Sequence, residues 1–491
     1  MATVTAAVEK KKFVGYLPND APPFGAMLGL AFQHVLTMFP ATVLVAILTG
    51  FDVGVTLFAS GLATIAALLI SSRLAKSYIP LYYGSSFSYI APIVAITTVN
   101  VLNIDDPIMR IRVAQGGIMM TGVLNILVGI LIRYIGKDAL DKILPPEVTG
   151  SVATVIGIAL AYTALQQASG TIVLTDAAGA SISAGSWWIV ALVTLFSTIL
   201  FSVYLRGRGF IGMIPVLLGG IVGYIVALFL KHPDGAYLFG SSIGGTSMVS
   251  FQSLLAADWI RIPSFTLPVF TLAAVLAIAP IAIATIPEST AHLYQISLYV
   301  DQLAIQLGKK PVKLSKFVGL NLVCDGVGDT INGALGGCPG TNYGENNSLM
   351  AITRNYSGPV LITAGIIAMS LGFIGKLAEL VNTLPTAVTG GLAIYLFGVI
   401  GAQGIALQIA KRVNMFDPRK LAIIAVILVV GIGGSIGFTG GMIPFFGMQL
   451  PAIATSAVVG ILLNLVFMIF PAKQIDKEFD DMNIDDLKID V

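Results

Sequence analysis

The chain predicts an all-α polytopic membrane protein with 14 transmembrane segments, arranged as a 7+7 inverted repeat with two half-helix segments that short strands precede. Three observations predict it. Of 491 residues, 56% are hydrophobic and only 11% are charged, with a mean hydropathy of +0.90, where a soluble domain carries about 25% charged residues. Windows of roughly 20 apolar residues recur along the whole length. Two further apolar pieces are too short to cross a bilayer alone, and they stand at corresponding places in the two halves of the chain.

The full spans fall near 26–48, 53–72, 112–133, 148–166, 187–205, 211–230, 268–299, 315–335, 358–381, 386–410, 420–440 and 451–470. The short pieces fall near 86–99 and 345–355. Charge placement supports this count. With the N-terminus cytoplasmic, 19 Lys and Arg fall in inside loops, among them Lys10, Arg73, Arg133, Lys309 and Arg412. Only five fall outside: Arg110, Arg112, Lys231, Arg261 and Lys376. The positive-inside rule then puts both termini in the cytoplasm. The first 24 residues are polar, so no cleavable signal peptide is expected. The Asp-rich end, from Gln474, reads as a solvated tail. Cys324 and Cys338 are too few for a disulfide framework and read as free thiols. The net charge of +2 is uninformative, and no basic cluster points to a nucleic-acid partner.

The half-length pieces open alike. The first begins Tyr83-Gly84-Ser85-Ser86 and the second Tyr343-Gly344-Glu345-Asn346, each ahead of about ten helical residues. Gly336, Gly337, Pro339 and Gly340 interrupt the chain before the second. A break followed by a helix start aims free backbone N–H groups and a positive dipole end into the gap. In a bilayer such a break is tolerated only inside protein or along a cavity. Each short piece is third in its half, and an odd number of spans inverts the second copy. Paired short segments of this kind point to a transporter's substrate site.

Ionisable residues populate the same region. Glu288 and His292, at i and i+4 in the eighth span, share a face. A mid-membrane carboxylate marks an ion or substrate path by default, and desolvation makes its protonation feasible near neutral pH. A structural Glu–His hydrogen bond is the plainer alternative. Pro280 and Pro287 should bend this span. Glu345 lies at the second helix start, where it suits a ligand N–H group or simply complements the dipole. Two glutamates with two sets of free amides fit a planar ring of alternating N–H and C=O better than an inorganic anion. Phe87 stacks on such a ring or belongs to the core. Gln33-His34 read as an interhelical hydrogen bond. Asn321, Asp325, Asp329 and Asn332 form a polar stripe on the ninth span, with Asp325 or Asp329 relaying protons or holding Glu345. No phosphate-binding Gly-Lys-Ser/Thr loop, zinc-protease His-Glu pair or nucleophile elbow occurs, so neither ATP-driven pumping nor enzyme activity is expected.

At these residues the chain resembles the nucleobase–ascorbate transporter family, also called nucleobase:cation symporter-2, and within it the bacterial uracil permeases. The resemblance rests on Gln33-His34 with Thr37 to Val45, on Tyr83 to Pro92, on Glu288 with His292, and on Thr341 to Asn346 continuing to Arg354. Gly390-Gly391 and Gly398 to Ala402 extend it, and it covers Gly25 to Pro471. It implies a core domain (25–140 and 266–382) that moves against a gate domain (141–265 and 383–471), flanked by a cytoplasmic segment (1–24) and an acidic cytoplasmic tail (472–491). It implies a plasma-membrane homodimer formed through the gate. It also implies that Glu288 and Glu345 accept hydrogen bonds from a pyrimidine, that amides at Phe87 and Gly344 donate to it, and that His292 helps couple a proton. Ser86, Tyr343 and Phe397 complete the implied substrate contacts, and Asp325 joins Glu288 and His292 in proton coupling.

The chain departs from the family pattern at Ser348, where the signature has Gly, and at Phe397, where uracil permeases have Tyr. Asp325 and Asn346-Asn347 resemble the purine branch, whereas Glu345 favours pyrimidine. The expectation is therefore proton-coupled symport of uracil or a close nucleobase by an elevator-type movement, with no cofactor and with Na⁺ as the alternative coupling ion. The rival readings are a xanthine or urate symporter and an anion exchanger or channel on the same fold.

Overall fold

The computed structural model describes residues 15–136, 141–170, 184–206, 208–229, 249, 251–446 and 448–470. The acidic tail and residues 1–14 lie outside the described residues.

Helix α1 (Phe24–Thr49) follows Pro23 and stops at Gly50, whose φ of 77° closes it in the left-handed region. Helix α2 (Val53–Leu74) starts on Asp52, whose carboxylate accepts the Val55 N–H at 2.9 Å. Strand β1 (Tyr83–Ser85), a 3₁₀ turn (Phe87–Tyr89) and α3 (Ile90–Thr97) make the first short piece. Helix α4 (Pro107–Ile135) starts on the Asp106 cap with Pro107 in its first turn. Helices α5 (Pro146–Ala159), α6 (Ala161–Ser169), α7 (Ala184–Tyr204) and α8 (Pro215–Phe229) complete the first half.

The second half begins with the short α9 (Gln252–Ala256) and α10 (Leu272–Ile278). A 3₁₀ turn holding Pro280 then leads into α11 (Ala282–Gln306), which carries Pro287 inside it. The chain continues through α12 (Val318–Leu335), β2 (Gly340–Asn342), α13 (Gly344–Thr353), α14 (Gly358–Gly372), α15 (Gly375–Asn382) and α16 (Thr386–Ala410). It ends with α17 (Pro418–Leu428), α18 (Gly434–Gly437), β3 (Met442–Phe445), β4 (Met448–Pro451) and α19 (Ala452–Ile469). Among the described residues, nine helices are long and apolar enough to cross a membrane, some of them joined across a kink. Large apolar residues such as Leu127, Leu131, Phe196 and Leu462 face outward on several of them.

Three places differ from the sequence reading. The span expected over 358–381 is broken between α14 and α15. There the loop before α10 takes up the freed backbone groups: Arg261 N–H donates to Phe373 O at 2.8 Å and Gly375 N–H to Trp259 O at 3.1 Å. The span expected over 420–440 contains a π-helical turn at Val429–Gly433, where the glycine-rich run fails to hold α-helical register. The β3–β4 hairpin, with Met442 opposite Pro451, was not predicted; nearly all of it lies in the connection between the spans expected over 420–440 and 451–470.

The helices pack in two groups. In one, α4 lies along α12, and α2 lies along α14 and α12, with α1 against α14. In the other, α16 lies along α5, α6 and α7, α7 along α8, and α17 along α5 and α19. Small residues bring the partners close, as bilayer packing requires. A Cβ on Gly61 would stand 2.3 Å from Gly365 O, and one on Gly122 would stand 2.5 Å from Gly326 O. The pairs Gly54–Gly372 and Gly129–Gly319 repeat the contact two turns along each helix pair.

The segment ahead of α1 is tied down rather than solvated. Tyr16 N–H donates to Arg354 O at 3.0 Å, Tyr356 N–H to Tyr16 O at 2.9 Å and Gly358 N–H to Pro18 O at 2.8 Å. Residues 16–18 thus strap the turn between α13 and α14.

Candidate functional site

The two short helices meet through a two-stranded antiparallel ladder, β1 to β2, in which Tyr83 faces Asn342, Gly84 faces Thr341 and Ser85 faces Gly340. The ladder is extended by Ser86 N–H donating to Pro339 O at 3.0 Å and Tyr343 N–H donating to Tyr82 O at 2.9 Å. Pairing of the interrupted segments with each other lets extended backbone lie inside protein at membrane depth. The two Tyr-Gly pairs are not equivalent, however. Tyr83 and Gly84 lie within β1, whereas Tyr343 and Gly344 follow β2, so the ladder makes Ser86-Phe87 the counterpart of Tyr343-Gly344. Both counterparts open a helix, and the first N–H groups of each have no acceptor within their own helix.

The polar stripe of α12 supports the ladder from behind. Asp329 accepts from Gly340 N–H at 2.7 Å, from Tyr89 Oη at 3.1 Å and from Asn125 Nδ2 at 3.4 Å. Asn321 accepts from Tyr83 Oη at 3.2 Å and donates to Ser289 Oγ at 2.7 Å. Gln33-His34 behave as an interhelical contact: His34 is buried and accepts from Asn346 Nδ2 at 3.0 Å.

In front of the ladder lies a cavity of about 480 Å³, within the usual range for small-molecule sites. The β1 side contributes Ser85, Ser86 and Phe87, and the β2 side contributes Thr341 to Glu345 and Ser348. Helix α11 contributes Glu288, Ala291, His292 and Gln295, and α16 contributes Leu396, Val399, Ile400 and Gln403. Both helical sets are single stripes at i, i+3, i+4 and i+7. Glu288 and Glu345 are solvent-exposed by surface area although each belongs to a helix inside the protein, because both open into this cavity. They are electrostatic neighbours of one another, and Glu288 of His292.

The structure therefore brings Glu288, Glu345, His292, Phe87, Gly344, Ser86 and Tyr343 to one cavity. It does not bring Phe397 or Asp325 to the wall. Phe397 is buried just outside the wall and packs edge-on against Phe87, with ring centroids 5.9 Å apart, because the α16 stripe lining the cavity runs through Leu396 and Ile400 instead. Asp325 is buried behind α11, beside Ser289 and in electrostatic reach of Glu288, and its Oδ1 has no hydrogen-bond partner among the described residues. Gln295, Asn342 and Gln403 were missed. Gln295 was findable, since it is seven residues from Glu288 on the same face. Asn342 stands inside the Thr341–Asn346 stretch next to the second helix start, and Gln403 carried no signal beyond polarity in an apolar setting. Among the described residues no cluster of His, Cys, Asp and Glu is placed to hold a metal ion. Cys324 and Cys338 are buried free thiols.

The sequence model of the Permease family matches residues 25–440. The chain belongs to this family, the nucleobase–ascorbate transporters. The uracil permease of Bacillus caldolyticus is 37% identical, with 91% of this chain and 93% of that protein covered. The uracil permease of Bacillus subtilis is 35% identical over 93% and 96% of the two chains, and that of Escherichia coli K12 is 31% identical over 91% and 93%. Membership makes this chain a multi-pass membrane transporter and not an enzyme. Among solved structures, murine Slc26a9, an anion transporter captured inward-facing, aligns with a TM-score of 0.62 at 13% identity, covering 96% of this chain and 73% of that one. The transmembrane domain of the cyanobacterial bicarbonate transporter BicA aligns with a TM-score of 0.55 at 15% identity, covering 91% and 100%. These likenesses show a shared fold.

Proposed function

We propose that the chain carries uracil or a closely related nucleobase across the cell membrane together with a proton. The observation that carries this reading is that Glu288 from α11 and Glu345 from α13 open into one cavity at the starts of two short helices, one from each half of the chain. Carboxylates accept from ring N–H groups, and the unpaired amides at Phe87 and Gly344 donate to ring carbonyls. Phe87 supplies a flat apolar surface beside them. An anion would meet two carboxylates, so the fold shared with anion transporters does not extend to their substrate.

The two packing groups support a core that carries this site and a gate that faces it, with α11 and α13 on the core and α16 on the gate. The symmetric crossings α2–α14 and α4–α12 support the seven-plus-seven inverted repeat. With the N-terminus cytoplasmic, the wall residues Gln295 and Ser348 lie on the way to the cytoplasmic ends of α11 and α13, where Lys309 pairs with Asp20 at 3.7 Å. The cavity then faces inward, and an elevator shift of the core would turn it outward. A homodimer would form through the gate's lipid-facing helices. Coupling follows if protonation beside Glu288 and substrate binding stabilise each other, which linkage makes mutual.

Uptake of radiolabelled uracil into proteoliposomes tests this reading. Uptake should need an inward proton gradient, collapse with a protonophore and resist sodium replacement. Competition by unlabelled xanthine stronger than by unlabelled uracil would move the assignment to purines, and no nucleobase uptake at all would end it.

A further inference from the structure

We infer that the linker between α18 and α19, made of the Thr439–Gly441 turn with strands β3 and β4, is the seal that closes the cavity toward the outside, and that it must part from α3 before the cavity can open that way. The inference rests on the proposed core-and-gate reading, but the seal itself can be tested without any substrate.

The linker leads into α19, which lies along α17 and α5 in one packing group. Its own contacts cross to the other group. The Thr439–Gly441 turn lies on α3, and β4 lies on α10. The fit against α3 depends on glycine. Gly440 and Gly441 have φ of 62° and 68°, in the left-handed region. A Cβ on Gly440 would stand 3.1 Å from Ala95 Cβ and 3.2 Å from Val101 Cγ1. Ala95 is fully buried on α3, the short helix that follows Phe87 at the cavity wall. So α3 begins at the cavity and ends beneath this turn. The base of the hairpin is held on the gate side: Met442 is buried opposite Pro451, the residue before α19, and a Cβ on Gly434 of α18 would stand 2.7 Å from Ile443 Cδ1. The linker is thus rooted in one group and seated on the other.

A smaller counterpart exists in the first half. The Gly209–Met213 turn stands between α7 and α8, and it touches α13. Each short helix therefore meets a linker from the opposite half of the chain: α3 meets the 439–441 turn and α13 meets the 209–213 turn. The two contacts are unequal. The one on α13 is a single 3₁₀ turn, whereas the one on α3 is backed by a hairpin that also reaches α10. A heavier barrier on one side suits a cavity that opens to the other. In an elevator shift the core would slide off one linker and onto its counterpart, a sliding movement between packed elements.

The test ties the seal to the core. In the full chain, Ala95→Cys with Gly440→Cys would bring two Cβ atoms to 3.1 Å, near the roughly 3.8 Å of a disulfide, and the native Cys324 and Cys338 are buried. Oxidation with copper phenanthroline in intact cells should link the pair and stop uracil uptake, and a thiol reductant should restore it. A reporter in the cavity wall, Ser348→Cys added to the same chain, needs no substrate. A membrane-impermeant maleimide given from outside, read at position 348 by peptide mass, should label it only after reduction. Failure of the pair to link, or labelling at position 348 that is the same linked and reduced, overturns the inference. Should Gly440→Cys fail to fold, Ala95→Cys and Ser348→Cys as single variants keep both glycines. One opening event should expose both positions, so their labelling rates should match, and labelling of Ser348→Cys with Ala95→Cys protected overturns the inference. Uptake separates the two claims. No uracil uptake by the unlinked protein, with position 348 shielded by the link, leaves the seal standing and the uracil reading lost, and uptake that continues in the linked protein does the reverse.

Discussion

The carboxylate of Asp329 accepts the backbone N–H of Gly340 at 2.7 Å, and through that bond α12 holds the strand that precedes the second short helix. The same side chain receives Tyr89 from the first short helix and Asn125 from α4. One buried acid therefore joins both half-helices to the bundle behind them. Asp329→Ala strands these donors, at a cost on the order of 3 kcal/mol or more. A marked fall in thermal unfolding temperature in detergent is expected, larger than for Asp329→Asn, which keeps one acceptor. Equal, small shifts for both variants would show that the ladder needs no such support.

Gly344 leaves room for substrate and histidine together. A Cβ at this position would stand 2.8 Å from His292 Nε2, tighter than real contacts allow. Gly344→Ala should weaken uracil binding at least tenfold, about 1.4 kcal/mol, while unfolding temperature changes little. The comparison to make is binding by calorimetry against unfolding of the same sample.

The close crossings of α2 with α14 and α4 with α12 set a different expectation. A valine at Gly61 would drive its Cβ to 2.3 Å from Gly365 O, a backbone atom that cannot turn aside. Gly61→Val should cost several kcal/mol by overpacking, and it should be seen as loss of the monodisperse peak in size-exclusion chromatography. Gly398→Val, with open space around its added atoms, should keep that peak.

Much of this architecture was legible because bilayer burial writes itself in composition. Runs of apolar residues marked where the long helices lie, and polar interruptions at Gly336–Gly340 marked the break before α13. The i, i+4 placement of Glu288 and His292 already put them on one face, and that face lines the cavity. What was not legible depended on pairing between distant segments. The Tyr-Gly likeness suggested a register that the ladder contradicts, because strand pairing and not dipeptide identity sets equivalence. The wall of α16 was hidden for a related reason: Leu396, Val399 and Ile400 look like any membrane-facing stripe until another helix fixes which side faces the cavity. The α14–α15 break was invisible because its backbone is satisfied by Trp259 and Arg261, more than a hundred residues away in sequence.

The paired acids can be separated by substitution. Glu345→Gln removes an anionic acceptor at the helix start but keeps size and shape. A lost hydrogen bond to a charged group is worth about 1.5–3 kcal/mol, so uracil affinity should fall by roughly one to two powers of ten. Glu288→Gln should do the same and should also flatten the dependence of uptake on the proton gradient. Uptake driven equally well by a gradient in Glu288→Gln would move the coupling site elsewhere.

The central claim is that both acids hold one ring in one cavity, and calorimetric titration of uracil into purified protein tests it most directly. Wild-type protein should bind uracil with one site per chain, and Glu288→Gln and Glu345→Gln should each weaken that binding at least tenfold without loss of fold. Undetectable binding by the wild type, or unchanged binding by either folded variant, would contradict it.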